Sequence, residues 1–245
     1  MMARVLVAAL ILTGVGAAQS RTPILVELFT SEGCSSCPPA DAVLTRLDRE
    51  QPVADTEVIA LSEHVDYWNS LGWRDPFSSP LFSARQQDYG QAMRMRDVYT
   101  PQMVINGQTQ IIGSDWDSAN KAIRAAAQLP RAVVNISSHG PDGAAYEVRS
   151  LPAATRTADI FFAIAESGVE SSVSGGENGG HRLRHTGVVR SLHTLGTLDS
   201  KKGASTGEVR LNVRPQWTRR NLKLVLFVQD RDTRRILGAS SVRLY

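Results

Sequence analysis

Beyond residue 18 the sequence contains no apolar run long enough to cross a bilayer, no block of like charge and no repeat of solenoid length. It also has no cysteine other than Cys34 and Cys37. Each absence excludes something. Without a run of roughly 20 apolar residues, the mature chain has no membrane-spanning helix. Acids and bases are interleaved and the formal net charge is +3, so no surface reads as nucleic-acid binding. With two cysteines, structural zinc would need two histidines as well. None of the five histidines is paired at ligand spacing near them. Composition is ordinary for a globular chain, 42% hydrophobic and 21% charged, and 245 residues allow one large domain or two modest ones.

The first residues are distinctive. In "MMARVLVAALILTGVGAAQS", Arg4 gives a positive flank, Val5 to Val15 an apolar core, and Gly16, Ala17 and Ala18 the small residues that a signal peptidase needs. An uncleaved anchor is the alternative, but the run is shorter than the roughly 20 residues that span a bilayer. Residues 1–18 are therefore expected to be a signal peptide. The mature protein is expected to be exported, periplasmic or secreted, and to start near Gln19.

From residue 23 the texture alternates. "PILVELF" reads as a buried strand. The next segment, from Cys34 to about Glu50, reads as a helix with Ala40, Val43, Leu44 and Leu47 on one face. Pro38 and Pro39 fit its first turn, where no internal hydrogen bond is lost. "TEVIALS" is a second strand, and Ser79-Pro80 opens a second helix. "QMVI" and "TQII" are joined by Asn106-Gly107, a tight-hairpin signal. Ser114 with Asp117 predicts a capping box for a helix through about Gln128. After Pro130 seven short apolar or period-two runs, separated by Gly, Pro and Asp, predict an antiparallel sandwich or a partial one. A Gly-rich loop, residues 174–187, interrupts them. Its Glu177, Asn178, His181 and His185 could form a polar site, although a solvated loop is the simpler expectation.

The cysteines lie three apart in "ELFTSEGCSSCPPAD". As a staple, so short a loop contributes roughly 2 kcal/mol before strain, and a chain of this size does not need it. Redox work has a better physical basis. At a helix N-terminus, backbone N–H groups and the helix dipole favour a thiolate, and a second thiol one turn along can resolve a mixed disulfide. Three readings stay open here: thiol–disulfide exchange, a metal module handling copper(I) through paired soft thiolates, and a binding protein whose disulfide is only structural.

The element order, "ILVELF…CSSC" at the first strand-to-helix turn, and "YTPQMVIN" together resemble the thioredoxin fold over residues 23–129. More narrowly, "HVDYWNSLGW" and "GGENGGHRLRH" with these motifs resemble exported bacterial proteins grouped as domain of unknown function 1223. The resemblance implies a thioredoxin-like N-terminal domain (23–129); with the strand pattern after Pro130, the expectation is an α/β chain whose C-terminal domain (131–245) is antiparallel, β-rich and sandwich-like. It implies an exposed attacking Cys34 and a more buried resolving Cys37. Pro101 would lie against the disulfide after a cis Thr100–Pro101 bond, and Glu27 would be the buried acid that moves a proton from the resolving thiol. Thr100, His64 and Trp68 are candidate substrate contacts. The expected activity is exchange on protein or peptide thiols and disulfides, with reductase or isomerase leaning. It would need a separate redox partner, no organic cofactor and no metal. The leaning rests on Ser35 and Ser36, which put no cation between the cysteines, and on Glu32, whose charge opposes a thiolate.

Overall fold

β1 (Thr22–Thr30) and β2 (Thr56–His64) pair in parallel with unbroken register from Thr22↔Thr56 to Thr30↔His64. A parallel pair needs a crossover, and α1 (Pro38–Glu50) supplies it. A computed structural model describes residues 21–244; the expected signal peptide lies outside them. α2 (Pro80–Ala92) follows, capped by the Ser79 hydroxyl with Pro80 in the first turn, as its sequence predicts. β3 (Gln102–Ile105) runs antiparallel to β1 and turns into β4 (Thr109–Ile112). That turn uses positive φ at Asn106 (52°) and Gly107 (67°). Only glycine fits at 107, because a Cβ there would collide with the Arg234 carbonyl.

Two boundaries differ from expectation. α1 starts at Pro38, with Cys37 as N-cap, because Pro38 has no N–H to return to Cys34. α3 (Trp116–Ala126) is capped by Asp115 instead of Ser114, the Asp115 carboxylate accepting the Ser118 N–H at 3.0 Å.

Strand alternation sorts the helices. Ile24, Val26 and Leu28 pack with Ala40, Leu44 and Leu47 of α1 and Ala119 and Ile123 of α3. Leu25, Glu27 and Phe29 face the other way, toward α2 and the C-terminal half. Burying a leucine such as Leu47 completely contributes about 1.5–3 kcal/mol.

The rest of the chain is antiparallel. β5 (Val133–His139), β6 (Gly143–Arg149) and β11 (Ala204–Arg210) form a three-stranded sheet in the order β11-β6-β5. It packs on β7 (Thr157–Glu166), β12 (Leu222–Asp230) and β13 (Ile236–Arg243) through Val134, Val148, Ile160, Phe162, Leu224 and Leu226. This is the partial sandwich. β10 (Val188–Asp199) pairs with β7 along its length and touches β2 in parallel at Val188↔Ser62. Through that contact one mixed sheet runs β13-β12-β7-β10-β2-β1-β3-β4, so both expected segments contribute to a single sheet. The sheet bends at the junction. Leu25, Ile59 and Leu61 on one half pack against Ala163, Val225 and Phe227 on the other.

The Gly-rich stretch belongs to a hairpin instead of a plain loop: β8 (Val169–Ser172) precedes it and pairs with β9 (Arg182–His185) within it. Its strands are four residues each and mostly polar, too short to show a period-two apolar signal. Among the described residues no helix is long and apolar enough to cross a membrane.

Candidate functional site: the disulfide at the end of β1

Cys34 and Cys37 are joined in a disulfide, with Cα atoms 5.4 Å apart. They sit beyond the C-terminal ends of the parallel strands β1 and β2, where crossovers leave a crevice in α/β sheets. The Cys34 N–H donates to Ser31 O and the Cys37 N–H to Cys34 O, forming a turn that leads into α1. The next two residues are prolines without N–H, and the Ala40 and Asp41 N–H groups both donate to Cys37 O. The first-turn N–H groups expected to favour a thiolate are therefore absent or occupied. Instead, hydroxyls approach Cys34 Sγ, Ser36 Oγ at 3.3 Å and Thr100 Oγ1 at 3.5 Å.

Thr100–Pro101 is a cis bond. Thr100 also accepts the Trp68 indole N–H at 2.8 Å. Gly113 lets these pieces close up, since a Cβ there would lie 2.9 Å from Ala40 Cβ and 3.2 Å from Pro101 Cβ. Trp68 occupies the space beside Gly33, its Cβ 3.3 Å from where a Cβ of residue 33 would stand. Cys34, Cys37, Thr100, Pro101 and Trp68 are thus brought together.

The exposed Cys34 implied by the resemblance is corrected: both cysteines are 0% exposed. The Gly-rich segment is bonded to the same turn. Asn178 is buried, and its amide donates to Glu32 O (2.8 Å) and Cys34 O (2.9 Å). Glu177, itself exposed, accepts the Ser35 N–H at 2.9 Å, and the Ser35 side chain together with that N–H lowers its pKa. Gly72, Gly175 and Gly176 permit backbone-to-backbone contact between this segment and the Trp68–Trp73 stretch. The expectation of a solvated loop is corrected for Asn178 and His185, both buried; His181 is exposed.

Behind the disulfide lies a buried set of acids and histidines. His185 places Nε2 3.1 Å from Glu32 and Nδ1 3.8 Å from Asp41. Trp73 Nε1 and Ser171 Oγ also donate to Glu32. His64 Nδ1 meets Asp75 at 2.7 Å, and the two imidazole centroids are 4.8 Å apart. Burial would raise Asp75, but the His64 beside it, with bonds from His64 and from the Glu32 and Phe77 N–H groups, brings it below its usual value. Asp41 goes the other way. Burial pushes it up to about 7, although His185 and the Thr30 hydroxyl pull against that rise. His64 is fully buried, facing Asp75, so as a substrate contact it is corrected. Among the described residues no group of three or more His, Cys, Asp or Glu is arranged to hold a metal ion.

Glu27 is not brought to this set. It lies on the opposite face of β1, bonded by Arg85 Nε (2.7 Å) and Tyr89 Oη (2.6 Å). Asp41, one turn after Cys37, is the carboxyl nearest the resolving cysteine along α1. Its signal was an acid at position 41 among the inward-facing Ala40, Leu44 and Leu47.

A family model described as "Protein of unknown function (DUF1223)" matches residues 25–229. No curated protein matches. A crystal structure of a protein from Agrobacterium tumefaciens is similar at 28% identity and a TM-score of 0.74, covering 92% of this chain and 96% of that one. A domain of the outer membrane lipoprotein Omp28 from Porphyromonas gingivalis aligns at 11% identity over 47% of this chain and 89% of that one. Its TM-score of 0.29 carries no weight.

Proposed function

The chain belongs to that family of proteins of unknown function, and we propose that it is an exported thiol–disulfide oxidoreductase acting on protein or peptide thiols. We take residues 23–129 as a thioredoxin-like unit, supported by the parallel β1–α1–β2 crossover and the antiparallel β3–β4 hairpin beside β1. One observation carries the proposal: the two sulfurs have unequal surroundings. Cys34 is approached by the hydroxyls of Ser36 and Thr100, whereas Cys37 opens the helix that bears the neutral-range Asp41.

In the reducing direction, the Cys34 thiolate attacks a substrate disulfide and expels one substrate thiolate, which takes a proton from solvent. Cys37 then gives its proton to the Asp41 carboxylate and attacks Cys34 Sγ. This expels the second substrate thiolate and restores the Cys34–Cys37 bond. A group titrating at about 7 can accept that proton and release it to water at neutral pH. In the oxidising direction the steps reverse. A separate reductant, itself a dithiol, must reload the pair after each reduction.

The absence of first-turn N–H donors supports a less acidic Cys34 than in strongly oxidising members of the thioredoxin fold, and hence a reducing or isomerising pair. Both sulfurs are buried, so reaction requires local opening, and we take the Glu177–Asn178 segment bonded to the cysteine turn as the part that lifts or is displaced by substrate. The test is trapping. A Cys37→Ser variant should accumulate mixed disulfides through Cys34, and Cys34→Ser should accumulate few. Equal trapping, or none, would remove the assigned roles; a Cys34 titrating near pH 4 would remove the reducing direction.

A further inference from the structure

A groove of about 760 Å³ opens on the side of the molecule where β10 leaves β2. That size is within the range of ligand sites, yet none of its lining is shared with the disulfide. Its walls are β10, β11 with the residues that follow it, and the segment from Pro76 to Phe82 at the start of α2. β10 pairs with β7 on one side, but on the other it meets β2 only at Val188, so from Val189 onward no strand pairs with that edge among the described residues. β11 is the outer strand of the three-stranded sheet. Phe162, Ile164 and Trp217, all buried, form the deepest apolar part of its lining. Leu81, 48% exposed, stands at the rim.

Two further features narrow what fits. β10 has register shifts at Arg190 and at Leu195, and both of these residues line the groove. Bulges re-aim side chains, and between these two lies a regular stretch, Ser191–Thr194. The lining also contains three arginines (Arg190, Arg210 and Arg214) and His193, but no carboxylate. Arg190 is committed to Glu166 at 2.8 Å and lies over the Phe77 ring. Arg210 and Arg214 are exposed and have no ion-pair partner among the described residues.

We propose that this groove is a docking site for an extended acidic peptide, which adds a short strand to the free edge of β10 at Ser191–Thr194. Alternate apolar side chains would reach the apolar lining at Phe162 and Ile164, and carboxylates would meet Arg210 and Arg214. An unpaired edge supplies main-chain hydrogen bonds and the pockets beside it supply selection. Charge complementarity commits the site to acidic segments. An enclosed cavity would suit a fatty acid as well, but an open trough with two strand edges gives a peptide backbone something specific to pair with. The site is separate from the thiol chemistry: Phe77, which contacts the His64 and His185 rings, stands between the groove and the buried acids and histidines.

The test uses the full chain and a fluorescent peptide of about eight residues, roughly one strand in length, with alternating glutamate and valine. The peptide should bind, and an alternating lysine–valine peptide should bind at least about tenfold more weakly, as opposite charge demands. Arg210→Glu combined with Arg214→Glu should weaken the glutamate peptide by about tenfold or more and reduce its salt dependence. Both arginines are exposed, so an unchanged melting temperature checks the fold. Backbone N-methylation of the peptide's central residues should abolish binding without any change to the protein. The Cys34→Ser/Cys37→Ser double variant should bind as the parent does, so this result stands or fails apart from the redox proposal. Equal binding of the two peptides, indifference to N-methylation, or full retention after charge reversal would each overturn the docking site. So would displacement by dodecanoate without any N-methylation effect, which would assign the groove to amphipathic anions.

Discussion

On the α2 side of β1, Glu27, Glu63, Arg85 and Tyr89 bury their polar atoms around a guanidinium that stays charged at any physiological pH. Beyond the ends of β1 and β2, Glu32, Asp41, Asp75, His64 and His185 do the same with no permanent cation at all. The first group is closed. Arg85 contacts Glu27, Gln229 and Tyr89, and the rings of Tyr89, Phe161 and Phe227 lie about it. Burial first, and the Glu27 charge second, push Glu63 well above the usual carboxyl range, which leaves Glu27 as the counter-ion. The second group lies behind a disulfide and contains Asp41 at about 7. The first set is held by a fixed cation away from the sulfurs. The second contains a carboxyl that exchanges its proton near neutrality, and it is the set beside the sulfurs.

The largest expected effect tests the closed group. Arg85→Met leaves Glu27 buried without its cation, which typically costs about 3–5 kcal/mol. Urea unfolding should show that loss, while the reduction potential of any folded fraction stays at the parent value. A shifted potential in folded Arg85→Met protein would join the two groups and end the contrast.

Asp41→Asn should act in the opposite sense. The folded Asp41 holds its proton up to about pH 7, whereas the unfolded chain releases it near 3.8. Between those values the folded state binds more protons, so this group's contribution makes stability fall as pH rises from about 4 to about 7. The asparagine variant should lose that slope and be no less stable than the parent at pH 7. It should nevertheless exchange disulfides more slowly, by about tenfold or more, as expected for a lost proton acceptor. Melting curves across that pH range and single-turnover exchange rates check both halves. An unchanged pH–rate profile would leave Asp41 a structural residue only.

How much of this was legible in the sequence follows from the range of each signal. Local patterns carried well: the apolar run of β1, the proline pair at the mouth of α1 and the positive-φ Asn106-Gly107 turn. Contacts set by distant parts of the chain did not. Asn178 bonds the carbonyl of Cys34 across 144 positions, and in sequence it is one polar residue among glycines, indistinguishable from a solvated loop. His64 sat at the end of a strand, and nothing local said that Asp75 and His185 would enclose it. Glu27 was placed by analogy on the thiol side, but strand alternation with Leu25 and Phe29 puts it on the other face. Asp41 was legible in principle, as an acid in the buried register of α1.

A smaller effect probes the Gly-rich segment bonded to the turn that bears the sulfurs. Asn178→Ala leaves the carbonyls of Glu32 and Cys34 without their shared donor, at a cost of about 1–3 kcal/mol. Reduction of the disulfide by dithiothreitol should accelerate several-fold, since the segment then opens more often. An unchanged reduction rate would mean that small thiols already reach Cys34 by another path.

The smallest effect belongs to Glu177, which touches the same turn from the solvent side. Its carboxylate accepts the Ser35 N–H, and the Ser35 side chain first, with that N–H second, holds its pKa below the usual glutamate value. A lowered carboxyl contributes while it is ionised and stops contributing as pH falls through the folded value. Glu177→Gln keeps an acceptor oxygen but loses the charge, and solvent screens that charge already. Global stability should therefore not change measurably. The informative readout is the dithiothreitol reduction rate as a function of pH. In the parent it should rise modestly at acid pH relative to the thiolate concentration of the reductant, as the Ser35 contact loosens. In Glu177→Gln the corrected rate should be flat. A flat profile in both proteins would assign the latch to Asn178 alone, and an acceleration in Glu177→Gln as large as in Asn178→Ala would make the exposed carboxylate the main fastening of the segment.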